Sequence, residues 1–351
     1  MAQPGTISRV ALAVVWLLLG GVMIGVPVWL GWTRWHAILN GHPAMMVAAI
    51  ACGFIGFVAV AWSVASLALG GRQDREGDPT HPAHRTETQI RRRAVVRIVL
   101  AVPALLVCMA VVGGLAWVRP FQATKVASAA MRSENNVVVT DLVGWYEMEA
   151  VRKDKDGRPI KPTTALVFIP GARIDQRAYA AVLRPLAQAG YLVAVLKVPF
   201  GIASVLPDRA QEVLDVHPEI KYWAVGGHSL GGTTAAAFAE RHPAVNGLVL
   251  YAATPASRLT RTDLKVLSIS GSADGLATPA EIEASKPNLP AGSQYVVIPG
   301  GVHSTFGDYG AQPGDGTPTA DPAAAQAQIE KATAGLLASL TPPPVKKKAK
   351  K

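Results

Sequence analysis

Residues 222–242 read YWAVGGHSLGGTTAAAFAERH, and this stretch decides the fold. Its first six residues form a short apolar run typical of a buried strand, and its last ten are rich in residues that favour helices. Between them stands the pattern G-H-S-L-G, with Ser229 flanked at two positions by Gly227 and Gly231. The turn of a nucleophile elbow is so tight that larger side chains at those two positions would clash. We therefore predict that Ser229 is a nucleophile and that Gly227 and Gly231 are its elbow glycines.

Short apolar runs alternate with longer amphipathic stretches throughout the second half of the chain. The runs that predict strands are residues 165–169, 191–196, 222–227, 247–253, 265–270 and 294–299. The stretches that predict helices are residues 176–188, 207–217, 233–242, 279–286 and 322–340. Residues 136–151 predict one or two edge strands. Apolar strands that alternate with helices indicate a mainly parallel sheet with helices on both faces, so the predicted fold class is α/β.

A serine hydroxyl becomes a good nucleophile only when a base removes its proton, and that base needs an acid to orient it. In chains with such an elbow, the acid and then the histidine follow the serine at the ends of later strands. Asp274 follows the strand at 265–270, and His303 follows the strand at 294–299. Alone, Asp274 would suit a turn, His303 a surface loop, and the glycines a plain bend. Their order and positions together favour a triad of Ser229, Asp274 and His303.

Other histidines and aspartates fit the triad less well. His217 and His242 precede prolines at helix ends, where capping or turn roles are expected. His228 is the immediate neighbour of the serine, so its side chain cannot turn back to act as the base. Asp263 precedes its strand and lies at the wrong end of the sheet. Asp308 is close in sequence to the predicted base and is a reserve candidate for a supporting role.

The oxyanion that forms during acyl transfer requires two N–H donors. Leu230 comes directly after the serine and begins a helix, whose dipole also favours negative charge. The second donor should come from the loop after the first parallel strand, which reads Pro170-Gly171-Ala172. Proline has no N–H, so we predict that Gly171 or Ala172 donates, with Ala172 favoured.

The first third of the chain contains three long stretches without charged residues. They are Val10–Trp32, Pro43–Gly71 and Ile98–Val118. Each is long enough to cross a hydrocarbon core of about 30 Å as a helix, and we predict transmembrane helices at 10–32, 43–70 and 95–118. Buried core helices rarely supply three such runs so close together. A cleaved signal peptide would have a shorter apolar stretch than the first run.

Arginines are distributed unevenly around these predicted helices. The first loop holds Arg34, whereas the second holds Arg72, Arg75, Arg85, Arg91, Arg92 and Arg93. Positively charged loops remain in the cytoplasm. The sequence therefore predicts a multi-pass protein of the cell membrane, with everything after the third helix on the extracytoplasmic side.

The formal net charge of +10 belongs to the membrane segment and the C-terminal tail. Residues 1–120 carry ten Lys/Arg against four Asp/Glu, and the chain ends in KKKAKK, whereas residues 121–345 carry nineteen against twenty. No basic face for nucleic acid is therefore expected. Both cysteines, Cys52 and Cys108, lie in predicted membrane helices, so neither a disulfide framework nor a cysteine zinc site is expected. We expect neither metal nor cofactor.

These observations divide the chain into four parts. Residues 1–120 are predicted to form the membrane segment, and residues 121–135 a linker. Residues 136–341 are predicted to form the catalytic domain. The lysine-rich residues 342–351 are predicted to be a disordered tail, because the proline-rich TPPPV at 341–345 marks the end of the folded part.

Three stretches carry a resemblance to a known family: FIPGARIDQRAYA (168–180), GGHSLGG (226–232) and GGVHSTFGDYGAQPGDG (300–316). Together they resemble the α/β-hydrolase superfamily, in its dienelactone-hydrolase-like alpha/beta hydrolase family 5 branch, over residues 136–340. The resemblance implies the α/β-hydrolase fold, and it implies the same triad and oxyanion donors. Val302 departs from the pattern, because a polar residue such as asparagine is expected there.

The expected function is that of a membrane-anchored serine hydrolase that cleaves carboxylic esters. Residues 254–265 leave no room for a large cap domain, so the site should be open and suit small esters or envelope lipids and glycoconjugates. One alternative is an acyltransferase of the cell envelope that uses the same triad. Another is a non-catalytic module with this fold, against which the complete triad argues.

Overall fold

The structure, a computed structural model, describes residues 4–69 and 86–341. The chain divides into two units, one formed by Met1–Ile38 with Ala44–Arg119 and the other by Leu39–Pro43 with Pro120–Lys351. The predicted tail lies outside the described residues, as do Arg72, Arg75 and Arg85 of the predicted cytoplasmic loop.

The first unit contains three long helices: α1 (Pro4–Asn40), α2 (Pro43–Ala68) and α3 (Glu87–Trp117). Within them, Arg9–Asn40, Pro43–Ala68 and Arg91–Trp117 are long and apolar enough to cross a membrane. The first and third helices are longer than the uncharged runs predicted. The three arginines at 91–93 lie in the first turns of α3 rather than in a loop, because arginine favours helices and its long side chain can reach water from a helix end.

The helices α1 and α2 approach each other closely where two glycines face. A Cβ at Gly20 would lie 2.8 Å from Gly56 O, and a Cβ at Gly56 would lie 2.7 Å from Gly20 O. Nearby, Cys52 Sγ lies 3.5 Å from Met23 O. Small residues allow such close packing between helices in a bilayer, where burial of apolar surface alone does not drive association.

The second unit is built on an eight-stranded sheet in the order β1-β2-β4-β3-β5-β6-β7-β8. The strands are β1 (Val137–Asp141), β2 (Trp145–Ala150), β3 (Thr164–Ile169), β4 (Leu192–Leu196), β5 (Tyr222–His228), β6 (Val245–Tyr251), β7 (Lys265–Gly271) and β8 (Gln294–Ile298). Strands β3 to β8 are parallel, while β1 and β2 are antiparallel additions at one edge. The predicted α/β class with a mainly parallel sheet is confirmed.

Helices cover both faces of this sheet. They are α4 (Lys125–Ala129), α5 (Ala180–Gln188), α6 (Ala210–Val216), α7 (Leu230–Arg241), α8 (Pro279–Ser285) and α9 (Pro322–Leu340). Side chains of β3 alternate between two cores: Leu166 and Phe168 pack with α5 and α9, while Ala165 and Val167 pack with α6 and α7. A strand that is buried on both faces reads as one continuous apolar run, which is why β3 could be predicted from sequence.

The segment 121–135, expected to be a linker, packs onto the second unit. It contains α4, and both Ala123 and Ala127 are buried in the core. Asp175 Oδ2 accepts the N–H of Ala123 at 3.3 Å. The buried guanidinium of Arg184 donates to three carbonyls of this segment, those of Ala130, Arg132 and Glu134. The segment is held by hydrogen bonds between its backbone and side chains that are distant in sequence. The composition of the segment itself does not reveal these bonds.

The connection between β6 and β7 is short, as predicted. Residues 252–264, all of them described, form turns and loop without a helix or strand. No cap domain is inserted at this point, so the ends of β5, β6 and β7 are not covered from this connection.

Candidate active site

Ser229 lies in a strained turn between β5, which ends at His228, and α7, which begins at Leu230. Its φ is 53° and its ψ is −126°, in a region that L residues rarely adopt. A Cβ at Gly227 would lie 2.5 Å from the carbonyl carbon of Gly231, and a Cβ at Gly231 would lie 2.2 Å from Ile169 O. Neither position has room for a side chain, so the turn requires glycine at both.

Asp274 and His303 meet at the carboxyl ends of the neighbouring strands β7 and β8. His303 Nδ1 lies 3.0 Å from Asp274 Oδ2, and the two side chains are 2% and 0% exposed. Asp274 Oδ1 accepts the N–H groups of Leu276 and Ala277, both at 2.8 Å. These bonds fix the carboxylate, and a proton on Nδ1 that donates to it leaves Nε2 of His303 free to act as a base.

Ser229 lies at the same edge of the sheet, because β5, β7 and β8 all run parallel. Its neighbour His228 has its ring centroid 4.4 Å from that of His303. Among the described residues, Ser229 Oγ forms no hydrogen bond with His303 Nε2. Contacts between a nucleophile and its base often tighten only when a substrate binds. The structure therefore joins Asp274 to His303 directly and places Ser229 next to His228, whose ring packs against that of His303.

The predicted oxyanion donors differ in availability. The N–H of Gly171 donates to Tyr179 Oη at 2.9 Å, so Gly171 is not available as a donor. Within the described part of the chain, the N–H groups of Ala172 and Leu230 have no hydrogen-bond acceptor. Leu230 is the first residue of α7, where helical N–H groups have no partner within the helix. The structure thus leaves Ala172 and Leu230 as candidates and removes Gly171.

His228 is a residue of the site that sequence reasoning set aside. It is fully buried, its Nδ1 lies 3.0 Å from Tyr179 Oη, and its ring packs against His303. Burial, and then the neighbouring His303, lower its pKa well below the usual value, although the His303 backbone raises it slightly. Its Nε2 has no hydrogen-bond partner of good geometry among the described residues. His228 is therefore a neutral ring packed against the base. It also forms a hydrogen bond with the Tyr179 hydroxyl, which accepts the N–H of Gly171.

Asp315 is a second residue that sequence reasoning missed. Its Oδ1 accepts the N–H of His303 at 2.9 Å and that of Gly275 at 3.4 Å, and its Oδ2 accepts the N–H of Ser304 at 2.9 Å. Burial raises the pKa of this carboxyl, but the backbone N–H donors outweigh burial and leave the pKa below its ordinary value. One carboxylate thus links the loop after β7 to the loop after β8. The only signal in the sequence is an aspartate in the turn P-G-D-G at 313–316.

The competing residues are bonded elsewhere. His217 pairs with Glu147 and Glu219, and His242 Nδ1 lies 2.8 Å from Phe238 O. Asp263 pairs with Arg261 at the opposite end of β7. The reserve candidate Asp308 accepts from Gln326 at 3.2 Å, so the supporting position beside His303 belongs to Asp315 instead. Val302 is buried, 1% exposed, where the resemblance implies a polar residue.

Comparison with known proteins identifies the fold family. Residues 165–328 match a family model described as "Alpha/beta hydrolase family". The second unit has the α/β-hydrolase fold, and it is called the α/β-hydrolase domain below. Among solved structures, the chain is similar to a ferulic acid esterase from Streptomyces cinnamoneus at 18% identity and a TM-score of 0.44, with 59% of this chain and 85% of that chain covered. The search of curated proteins found no match. The α/β-hydrolase domain thus carries Ser229, Asp274 and His303 after its strands β5, β7 and β8.

Proposed function

We propose that this chain is a membrane-anchored serine hydrolase that cleaves carboxylic esters. One observation carries the proposal: a serine held at positive φ in a glycine-walled turn lies at the same edge of the sheet as a buried His303–Asp274 pair. Backbone strain of this kind costs about 1–3 kcal/mol and clusters at functional sites. A turn with no chemical role would need neither the strain nor the buried pair.

In the acylation step, Ser229 Oγ attacks the acyl carbon of the ester while His303 Nε2 takes the hydroxyl proton. The negative charge on the carbonyl oxygen is received by the N–H groups of Leu230 and Ala172 and by the positive end of the α7 dipole. The tetrahedral intermediate collapses as its bond to the alcohol oxygen breaks. His303 gives its proton to the departing alcohol, and the acyl group remains on Ser229.

In the deacylation step, water replaces the alcohol. His303 Nε2 removes a proton from the water as its oxygen attacks the acyl carbon, and the proton then returns to Ser229 Oγ as the carboxylic acid leaves. Asp274 stabilises the imidazolium that forms in each half-reaction, from 3.0 Å away. His228 supports this role because a neutral ring adds no second positive charge beside that imidazolium.

The membrane segment supports an anchored protein with an extracytoplasmic catalytic domain. The arginines at 91–93 lie at the start of the membrane-length part of α3, and Trp117 ends it, which suits a helix that starts on the cytoplasmic side. The proposed substrates are small esters or envelope lipids and glycoconjugates, because residues 252–264 insert no cap domain between β6 and β7. Acyl transfer to an alcohol would use the same steps with a different acceptor.

Labelling of intact cells with a membrane-impermeant fluorophosphonate tests the nucleophile and the orientation together. Wild-type protein should be labelled, Ser229→Ala should not, and Ser304→Ala, which changes a serine next to the base, should be labelled normally. Equal labelling of Ser229→Ala would refute the nucleophile, and labelling only after lysis would refute the orientation. Hydrolysis of p-nitrophenyl esters, with product analysis in the presence of added alcohol, then separates hydrolysis from acyl transfer.

A further inference from the structure

The chain enters the α/β-hydrolase domain at the edge of the sheet that carries the candidate active site. The N–H of Phe121 donates to Arg173 O at 2.6 Å, and the N–H of Asp175 donates to Phe121 O at 2.9 Å. Arg173 directly follows Ala172, the candidate oxyanion donor in the loop after β3. Phe121 is the first residue after α3 that forms backbone hydrogen bonds with the domain. It is therefore attached beside the oxyanion loop, at the carboxyl end of the parallel strands.

The connection from the last membrane-length helix to this attachment is short. The helix α3 ends at Trp117, and three residues, Val118, Arg119 and Pro120, separate it from Phe121. A fully extended chain spans at most about 3.6 Å per residue, so Trp117 and Phe121 are no more than about 15 Å apart. This limit comes from covalent geometry and holds for every orientation of the domain about the connection.

The start of this connection carries residue types that are typical of the membrane–water interface. The guanidinium of Arg119 lies 4.6 Å from the centroid of the Trp29 ring. Tryptophan and arginine with this pairing are favoured where the hydrocarbon core meets the polar head groups. Phe121, the attachment point beside the oxyanion loop, is thus covalently tethered within about 15 Å of Trp117 at the end of the last membrane-length helix.

Exposed apolar side chains lie on the same edge of the domain. Val143 in the β1–β2 turn is 73% exposed, and Leu206 in the loop after β4 is 42% exposed. Trp145, the first residue of β2, pairs with Leu196, the last residue of β4. The β1–β2 turn and the loop after β4 therefore both lie beyond the carboxyl end of β4. Apolar residues exposed near a membrane suit contact with its acyl region rather than with water.

From the tether and these apolar residues we propose that the substrate is an amphiphilic ester that resides in the bilayer. Such a substrate reaches Ser229 from the outer leaflet, with its ester bond near the head-group level and its acyl chain still shielded from water. This inference rests on the proposed esterase function and names its substrate class. A short tether does not change the concentration of a soluble ester at the site. It does raise the effective concentration of an ester in the bilayer, because the tether keeps the site near the membrane surface.

The test uses the full chain in phosphatidylcholine proteoliposomes and two umbelliferyl esters with the same leaving group. One has a long acyl chain and is embedded in the vesicles, and the other is a soluble short-chain ester that reports the triad alone. A Gly/Ser spacer of twenty residues inserted after Arg119 extends the tether by about 25 Å. We expect hydrolysis of the embedded ester to fall about fivefold or more, with hydrolysis of the soluble ester unchanged.

Two matched controls make the result specific. The same spacer inserted after Thr341 should leave both activities intact. Val143→Asp should selectively lower activity on the embedded ester, whereas Val216→Asp, at a valine 55% exposed at the end of α6 on the opposite edge, should not. Wild-type activity of the Arg119 spacer variant on the embedded ester would overturn the inference. Failure of the wild-type chain to cleave either ester would instead refute the proposed function.

Discussion

The N–H of His303 donates to Asp315 Oδ1 at 2.9 Å, so the main chain of the candidate base is held by one carboxylate while its ring is held by another. Within residues 4–69 and 86–341, the second carboxylate, Asp274, forms side-chain hydrogen bonds only with the ring and with its own loop. Asp315 bonds to both catalytic loops. The relative position of the acid and the base therefore depends on Asp315, whose hydrogen bonds to these loops go to backbone N–H groups.

Asp315→Asn should lower kcat about tenfold, which corresponds to an increase of about 1.4 kcal/mol in the activation free energy. KM should be almost unchanged. The amide has the same size, but it loses the charge and directs an NH₂ group towards backbone donors. The measurement is steady-state kinetics on a soluble ester, together with the rate of fluorophosphonate labelling. Asp263→Asn, at an exposed aspartate paired with Arg261, is the control and should leave both unchanged. Wild-type kinetics in Asp315→Asn would contradict a positioning role.

Tyr179→Phe should lower both stability and kcat, because it removes the hydroxyl that joins Gly171 N–H to His228 Nδ1. A buried N–H left without an acceptor costs about 1–3 kcal/mol of stability. Tyr251→Phe is a matched control, since it removes another buried tyrosine hydroxyl, one bonded to Thr333 at 2.7 Å. Thermal unfolding should show a loss in both variants, whereas kcat should fall only in Tyr179→Phe. Equal kcat in the two variants would exclude a role for this hydroxyl in shaping the oxyanion loop.

Gly231→Ala should abolish activity and lower the unfolding temperature. The new Cβ would lie 2.2 Å from Ile169 O and 2.3 Å from Pro170 O, both rigid backbone atoms at the start of the oxyanion loop. Gly335→Ala in α9 is the control, because a Cβ there meets no atom within 4 Å. That control should be neutral or stabilising by up to about 1 kcal/mol. Normal activity in Gly231→Ala would show that the elbow can relax, contrary to its packing.

His217 should make the α/β-hydrolase domain less stable as pH rises. Burial lowers its pKa, but hydrogen bonds with Glu147 and Glu219 outweigh burial and raise the pKa above the ordinary 6.5. A raised folded-state pKa gives stability that is complete below pH 6.5 and is lost as pH rises through the folded value. Thermal unfolding across this range should show a shallower decline in His217→Gln than in wild type. An equally steep decline in the variant would assign the pH dependence to other groups.

The parts of the candidate site that depend on local pattern can be predicted from the sequence. Ser229, Asp274 and His303 each follow a short apolar run that predicts a strand, and parallel strands bring their carboxyl ends to one edge. The elbow glycines were predictable for the same reason, because the turn geometry excludes other residues. In these cases, a short stretch of sequence contains the whole physical constraint.

The parts that sequence could not predict depend on contacts between distant residues. The sequence alone allows Gly171 as an oxyanion donor, but in the structure its N–H donates to the hydroxyl of Tyr179. Asp315 has the composition of an ordinary turn residue, and its role arises only because two other loops fold against it. Neither relationship leaves a periodic or compositional trace in the chain.

The packing of residues 121–135 also sets where the α/β-hydrolase domain can be cut free for biochemical work. A fragment that began at residue 136 would remove the three carbonyls that satisfy the buried guanidinium of Arg184. Loss of the partners of a buried charge typically costs about 3–5 kcal/mol, a large share of the stability of a single domain. A water-soluble fragment for crystallisation should therefore begin at Pro120, directly after the last membrane-length helix, with α4 retained.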